Sequence, residues 1–265
     1  MIKKILAILI ILMMVPFTAF AFDHGHSLFT AVLDKHIKVF KNGLESKIDY
    51  AALKKDQVDL KKYLSGLSQV SQKEFDSWTK EQRLSFLINA YNGFTIELIL
   101  KNYPVKSIRK IGAILQSPWK IEFIKLFDQS MALDEIEHGL VRKKGVYDEP
   151  RIHFALVCAS IGCPALHNKA FTPEKLEEML ETGLVNFLSD KTRNRYNPES
   201  KSFEISKIFK WYGGDFNDRY RSVNKLLNKY ATHLVENKAD LAIAEKTKDI
   251  EFLDYDWNLN DISGK

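Results

Sequence analysis

The sequence predicts an α+β fold, a mostly helical single domain over residues 22–265 in which a few short strands surround one central buried helix. Three observations predict it. Segments with a helical apolar period outnumber all others, and the run from Leu84 to Leu100 is apolar in nearly every direction. The short alternating runs are inserted between helices rather than alternating with them, which argues against a parallel doubly wound sheet.

The chain opens with MIKKILAILIILMMVPFTAFAF: Lys3 and Lys4 form a basic start, Ile5 to Phe17 an apolar core, and Ala19-Phe20-Ala21 a small-residue cleavage pattern. This reads as a secretory signal over 1–21 cleaved after Ala21, because the apolar run is shorter than the roughly 20 residues needed to span a bilayer. The expected location is periplasmic or secreted, with no stable membrane insertion after cleavage. No cysteine stands at the new N-terminus to take a lipid. The fragment Asp23-His24-Gly25-His26 reads as a mobile tail.

Ser27 to Phe40 carries apolar residues at a helical period and stops at Asn42-Gly43, and a second helix is expected over Asp56–Leu67. Between them Ile48-Asp49-Tyr50 reads as a turn. Thr79 and Gln82 fit a capping box, after which the apolar segment to Leu100 forms the centre, with Ser85, Asn89 and Asn92 on one of its faces. Trp119–Ala132 reads as a hairpin turning at Asp128-Gln129-Ser130, and Leu133–Arg142 as a helix. Arg151–Cys158 is an apolar run bounded by a proline and small residues, assigned as a buried strand. Thr172-Pro173 starts a helix over Glu174–Leu188, and Lys191–Ser202 is a polar loop. Phe203–Ser206 leads into a helix through Tyr212, Ser222–Leu234 adds another, and the aromatic tail Ile250–Leu259 ends the sheet or covers the core.

Composition narrows the function classes. The chain has 39 Lys+Arg against 34 Asp+Glu and is 45% hydrophobic. Losing Lys3 and Lys4 with the signal leaves 37 basic residues against 34 acidic, a net charge of +3 with the two signs interspersed. That balance gives no electrostatic footprint for nucleic acid, and none is expected as a partner. No Gly-rich phosphate loop, dinucleotide fingerprint, G-x-S-x-G or HExxH occurs, so neither a cofactor nor a metal is assigned.

Five strings, LSFLINAYNGFTI from Leu84, LDEIEHGLVR from Leu133, EPRIHFALVCASIGCPAL from Glu149, SKIFKWYGGDF from Ser206 and DYDWNLND from Asp254, together resemble the family called domain of unknown function 547. The resemblance implies kinship of fold and a set of site positions, not an activity. Those positions are Asn89, the pair Glu137-His138, the basic residue Arg142, and the run Cys158-Ala159-Ser160.

Two chemistries are open to these residues. Cys158 ends an apolar run at a turn and has the character of a nucleophile in a thiol-dependent hydrolase or transferase; His138 or His153 would act as base, and Glu137 or Asn89 would orient an imidazole. Alternatively, Cys158 and Cys163, the only cysteines, form a disulfide in an exported protein. The chain is then a non-catalytic binding or interaction domain for a small-molecule or peptide ligand, with Asn89 and Asn92 satisfying backbone groups of neighbouring segments. Adjacent Glu137 and His138 point about 100° apart on an α-helix and do not easily share one metal ion.

Overall fold

The structure is a computed structural model that describes residues 22–113 and 116–264; the expected signal segment 1–21 lies outside the described residues. The fold is α+β as expected: helices dominate, with two two-stranded hairpins and one three-stranded sheet among the described residues. Helix α1 (Ser27–His36) leads into strands β1 (Ile37–Phe40) and β2 (Glu45–Ile48), then helices α2 (Tyr50–Lys55), α3 (Val58–Ser68) and α4 (Gln72–Asp76) precede the long helix α5 (Lys80–Asn102).

Helix α5 is the centre of the molecule. Thr79 Oγ1 accepts from the Gln82 N–H and Gln82 Oε1 accepts from the Thr79 N–H, so two otherwise orphaned donors are satisfied at its start. From Leu84 onward nearly every side chain is buried, which surrounds the helix with protein on all sides.

The expected helix through Phe40 ends four residues early. Ile37 and Val39 are β-branched, Asn42 and Gly43 adopt positive φ (54° and 96°), and the segment turns back as an antiparallel hairpin in which Ile37 faces Ile48 and Phe40 faces Glu45. The N-terminal tail is also not loose. His26 is 1% exposed, with Nδ1 2.7 Å from the Tyr63 hydroxyl, and Phe22 packs its ring against Trp78 and Phe86.

The second hairpin, β3 (Ile124–Leu126) with β4 (Gln129–Met131), turns at Phe127-Asp128, one residue before the expected start. Both residues have positive φ, the twist that a two-residue hairpin needs. Glu135–Val141 follows as a π-helix. Residues 151–158 correct the strand assignment: Pro150–Phe154 is a 3₁₀ turn, with the Glu149 carboxylate accepting the Arg151 N–H at its start. Proline at the first position suits a helical turn. The following apolar residues are buried because they pass between two cores, not because they pair in a sheet.

Helix α6 (Leu176–Ser189) links those cores, giving Leu176 and Leu180 to the larger one around α5 and Leu184, Phe187 and Leu188 to the smaller. The smaller core is closed by strands β5 (Arg195–Asn197) and β6 (Ser202–Ser206) and helices α7 (Ile208–Trp211), α8 (Gly213–Tyr220) and α9 (Val223–Lys229). Strand β5 thus lies inside the stretch assigned as a loop, and the helix expected to reach Leu234 stops at Lys229 before a 3₁₀ turn. The aromatic tail does complete the sheet: β7 (Ile250–Leu253) runs parallel to β6, which pairs antiparallel with β5 on its other side.

Two asparagines of α5 hold this arrangement. Asn89 donates to the Phe171 carbonyl (2.7 Å) and accepts from the Phe171 N–H (2.9 Å); Asn92 does the same to Ala155 O and Val157 N–H, both at 2.9 Å. Each amide caps a loop that has no sheet partner of its own. Asn92→Ala strands two buried backbone groups just before Cys158, and is expected to cost about 2–4 kcal/mol by chemical denaturation. Equal stability of wild type and Asn92→Ala would refute the clamp.

Candidate functional site

The seam between the two cores holds a cavity of ≈ 250 Å³. Glu137, His138, His153 and Cys158 all line it, so four of the five side chains singled out from the sequence meet at one place. Asn89 does not line it; its amide is spent on the backbone of Phe171, the structural role weighed above.

Glu137 and His138 follow Asp134 at three and four positions, the spacing that shares a helix face, and all three line the cavity; the turn is a π-helix in which the Arg142 N–H reaches back five residues to the Glu137 carbonyl (2.8 Å). Glu137 is 6% exposed and accepts a hydrogen bond from the Tyr212 hydroxyl at 2.8 Å. Tyr91 lies beside the same carboxylate; burial first, and the Glu137 charge second, push its phenol well above the ordinary value.

His138 is more open to solvent. Its Nδ1 accepts from the Arg142 guanidinium (2.5 Å), which leaves Nε2 to face the Asp134 carboxylate at 3.5 Å. Arg142 then grips Asp215 with two parallel bonds, Nε to Oδ2 (2.7 Å) and Nη2 to Oδ1 (2.9 Å), and His153 Nε2 donates to the same Oδ2 at 2.8 Å. His153 is stacked on the Tyr212 ring, 3.8 Å between centroids. Burial lowers its basicity despite the neighbouring carboxylate. Burial alone would raise the Asp215 pKa, but the hydrogen bonds from His153 and Arg142 outweigh it and hold the carboxyl well below the usual carboxylate range. The pair therefore sits at neutral pH as an uncharged imidazole donating to an ionised Asp215.

The opposite wall carries the sulfurs. Cys158 and Cys163 form a disulfide, across a turn in which Ala159 takes a positive φ (61°). The Cys158 N–H and the Tyr255 hydroxyl both donate to Cys163 Sγ, at 3.0 and 3.1 Å. The turn is locked from outside by the C-terminal segment, where Ile161 N–H bonds Asn258 O and Gly162 N–H bonds Asp256 O. Glycine suits position 162, since a β-carbon would stand 3.0 Å from the Asp256 backbone and the C-terminal segment would have to give way. The disulfide closes so short a loop that Cys163→Ser should cost only about 2 kcal/mol, read as a shift in urea midpoint; a loss of 5 kcal/mol or more would mean the bridge does more than restrict the unfolded chain.

Six aromatic rings also line the cavity: Trp119, Trp211, Tyr255 and Trp257 join Tyr91 and Tyr212. Tyr255 lies 4.5 Å from Trp257 and 4.9 Å from Trp211 between ring centroids, one continuous wall. Trp119, Trp211 and Tyr212 are not picked out as site residues by the sequence, whereas Tyr255-Asp256-Trp257 reads there as a run that can line a groove and Asp215 as a candidate carboxylate. The strings from Ser206 and Asp254 contain Asp215, Tyr212, Trp211, Tyr255 and Trp257, and that was the available signal. Among the described residues no group of three or more His, Cys, Asp or Glu side chains is placed to hold a metal ion. No helix among them is long and apolar enough to cross a membrane.

No curated protein and no solved structure matches the chain. Residues 75–188, which run from α4 through the central helix, the π-helix and the disulfide turn to the end of α6, match the family described as Protein of unknown function, DUF547, and this upholds the resemblance carried by the strings from Leu84, Leu133 and Glu149.

Proposed function

We propose that this chain is an exported binding protein whose cavity at the seam of the two cores takes a small-molecule or peptide ligand. The observation that carries the reading is the composition of that cavity: an aromatic wall facing a buried carboxylate, with the sulfurs of Cys158 and Cys163 bonded to each other in its side. Rings offer contact area at low entropic cost and the few polar groups fix orientation, the usual division of labour in a ligand site. Export is supported by the signal-like start and by the packing of Phe22, the residue that cleavage after Ala21 would leave first. N-terminal sequencing of the mature protein tests it, with a start at Phe22 expected and a start at Met1 refuting it.

Three of the four tryptophans line the cavity, so ligand entry should change intrinsic emission. A panel of neutral, anionic and cationic small molecules and short peptides, read by emission and by melting temperature, is expected to yield hits that Trp257→Ala abolishes. A panel with no hits overturns the reading.

One observation favours a second reading. With Nε2 of His153 committed to Asp215, its Nδ1 is the nitrogen left to act as a base, the division of roles that thiol hydrolases use. After reduction of the disulfide by a small thiol, Cys158 would be the nucleophile. Alkylation by iodoacetamide separates the two readings: a thiol enzyme gives fast labelling of Cys158 in the reduced protein that His153→Gln suppresses, whereas a binding domain gives slow labelling of both sulfurs alike.

A further inference from the structure

We infer that the ligand of this cavity is an organic cation, a quaternary or protonated amine; the inference rests on the ligand-binding reading above and narrows it to a chemical class. The lining includes two carboxylates, Asp134 and Glu137, together with three tryptophans and three tyrosines, and it includes no lysine or arginine. Apart from the imidazoles of His138 and His153, the charge-bearing groups of the lining are therefore acidic.

Glu137 is the decisive group. A buried carboxylate is ordinarily matched by a cation, yet among the described residues no Lys or Arg nitrogen comes within 4 Å of it; its hydrogen-bond partner is the neutral hydroxyl of Tyr212, and the solvent-open His138 Nε2, 4.0 Å away, stands closer to Asp134 at 3.5 Å. The guanidinium that could serve it, Arg142, is held by both oxygens of Asp215 and by the ring of His138. A ligand that brings positive charge satisfies Glu137, and the aromatic wall receives the same charge through the ring faces, which attract quaternary and protonated amines alike. An anionic ligand would meet two carboxylates, and a neutral one would leave Glu137 unmatched.

The ring surface is also reachable. Trp211 is 46% exposed and touches Tyr255 and Trp257, so the wall extends from the buried carboxylate out to solvent. A volume of ≈ 250 Å³ is below that of sites for drug-sized molecules, and suits an amine headgroup or one alkylated side chain.

The test compares choline with 3,3-dimethyl-1-butanol, which has the same shape and a carbon in place of the charged nitrogen. Titration of the mature protein, followed by calorimetry and tryptophan emission, is expected to show choline binding about tenfold more tightly than the alcohol. Glu137→Gln, which can still accept from Tyr212, should erase that preference. Trp211→Ala alters an exposed ring and keeps the test open should Glu137→Gln fail to fold; it should weaken choline by about tenfold with little effect on the alcohol. Equal affinity for the two probes, or hits confined to neutral and anionic compounds, overturns the cation assignment and leaves the ligand-binding reading standing. No binding by any compound removes both.

Discussion

Arg151→Ala should cost about 3–5 kcal/mol, lowering the melting temperature by about 10 °C. Arg151 is 6% exposed, and its guanidinium donates to Glu149 (2.8 and 2.6 Å), to both oxygens of Glu177 (2.7 Å each) and to Glu181 (3.0 Å). These partners are not equal. The Glu177 side chain is 81% exposed and returns to water at little cost, whereas Glu149 is 14% exposed and would be left as an uncompensated buried charge. The cost therefore lies in the abandoned partner more than in the lost attraction. Arg151→Met combined with Glu149→Leu should recover most of the loss, because it removes both charges together. If the single and double variants unfold at the same urea concentration, this account is wrong. Arg151 is the second residue of the turn that carries His153 two residues later, so the single variant should also loosen the cavity.

Acidification from pH 7 to pH 4 should remove about 3 kcal/mol of stability through His26 alone. Burial drives its pKa down to about 3, only partly opposed by Asp23, while in the unfolded chain the imidazole titrates near its ordinary 6.5. Between those values the unfolded state holds a proton that the folded state refuses, so stability falls as the pH drops through that window and is fully present above it. Burial shifts His153, His167 and His36 the same way, and the depressed carboxyl of Asp215 adds its own loss at lower pH still. His26→Asn keeps a short polar group for Tyr63 and tolerates the left-handed backbone at this position (φ 48°). Urea titrations at the two pH values should show the variant losing about 3 kcal/mol less than wild type. An identical loss in both would exclude His26 as the origin.

What could be read from the sequence was mainly what local chemistry decides. The Thr79–Gln82 capping box and the all-round apolar surface of α5 follow from neighbours a few residues apart, and both stand in the structure. The β1–β2 hairpin was missed because Leu28 to Phe40 satisfies a helical period; only the β-branched Ile37 and Val39 and the glycine turn hint that the register changes. The 151–158 segment was misassigned because an apolar run looks the same whether it pairs in a sheet or threads between two cores. Asn89 is a similar case, since a buried amide on an apolar helix looks alike as an orienting group or as a clamp on Phe171. That Glu137, His138, His153 and Cys158 share a cavity was legible only through the family strings, for nothing in their spacing brings them together. Asp215 and the tryptophans come from still more distant segments, and their convergence is a property of the fold.

The seven-residue π-helix at Glu135–Val141 has one further consequence. Relative to an ordinary helix it contains a surplus position, carried at the expense of weaker backbone geometry, and it sets the angle at which Arg142, bonded back to Glu137, meets Asp215. Excising a single residue between Gly139 and Arg142 would let the coil tighten to its preferred pitch. The shortened chain should then melt higher yet present Arg142 at the wrong angle to reach Asp215, so that robustness and a working centre are set against each other in one turn of backbone.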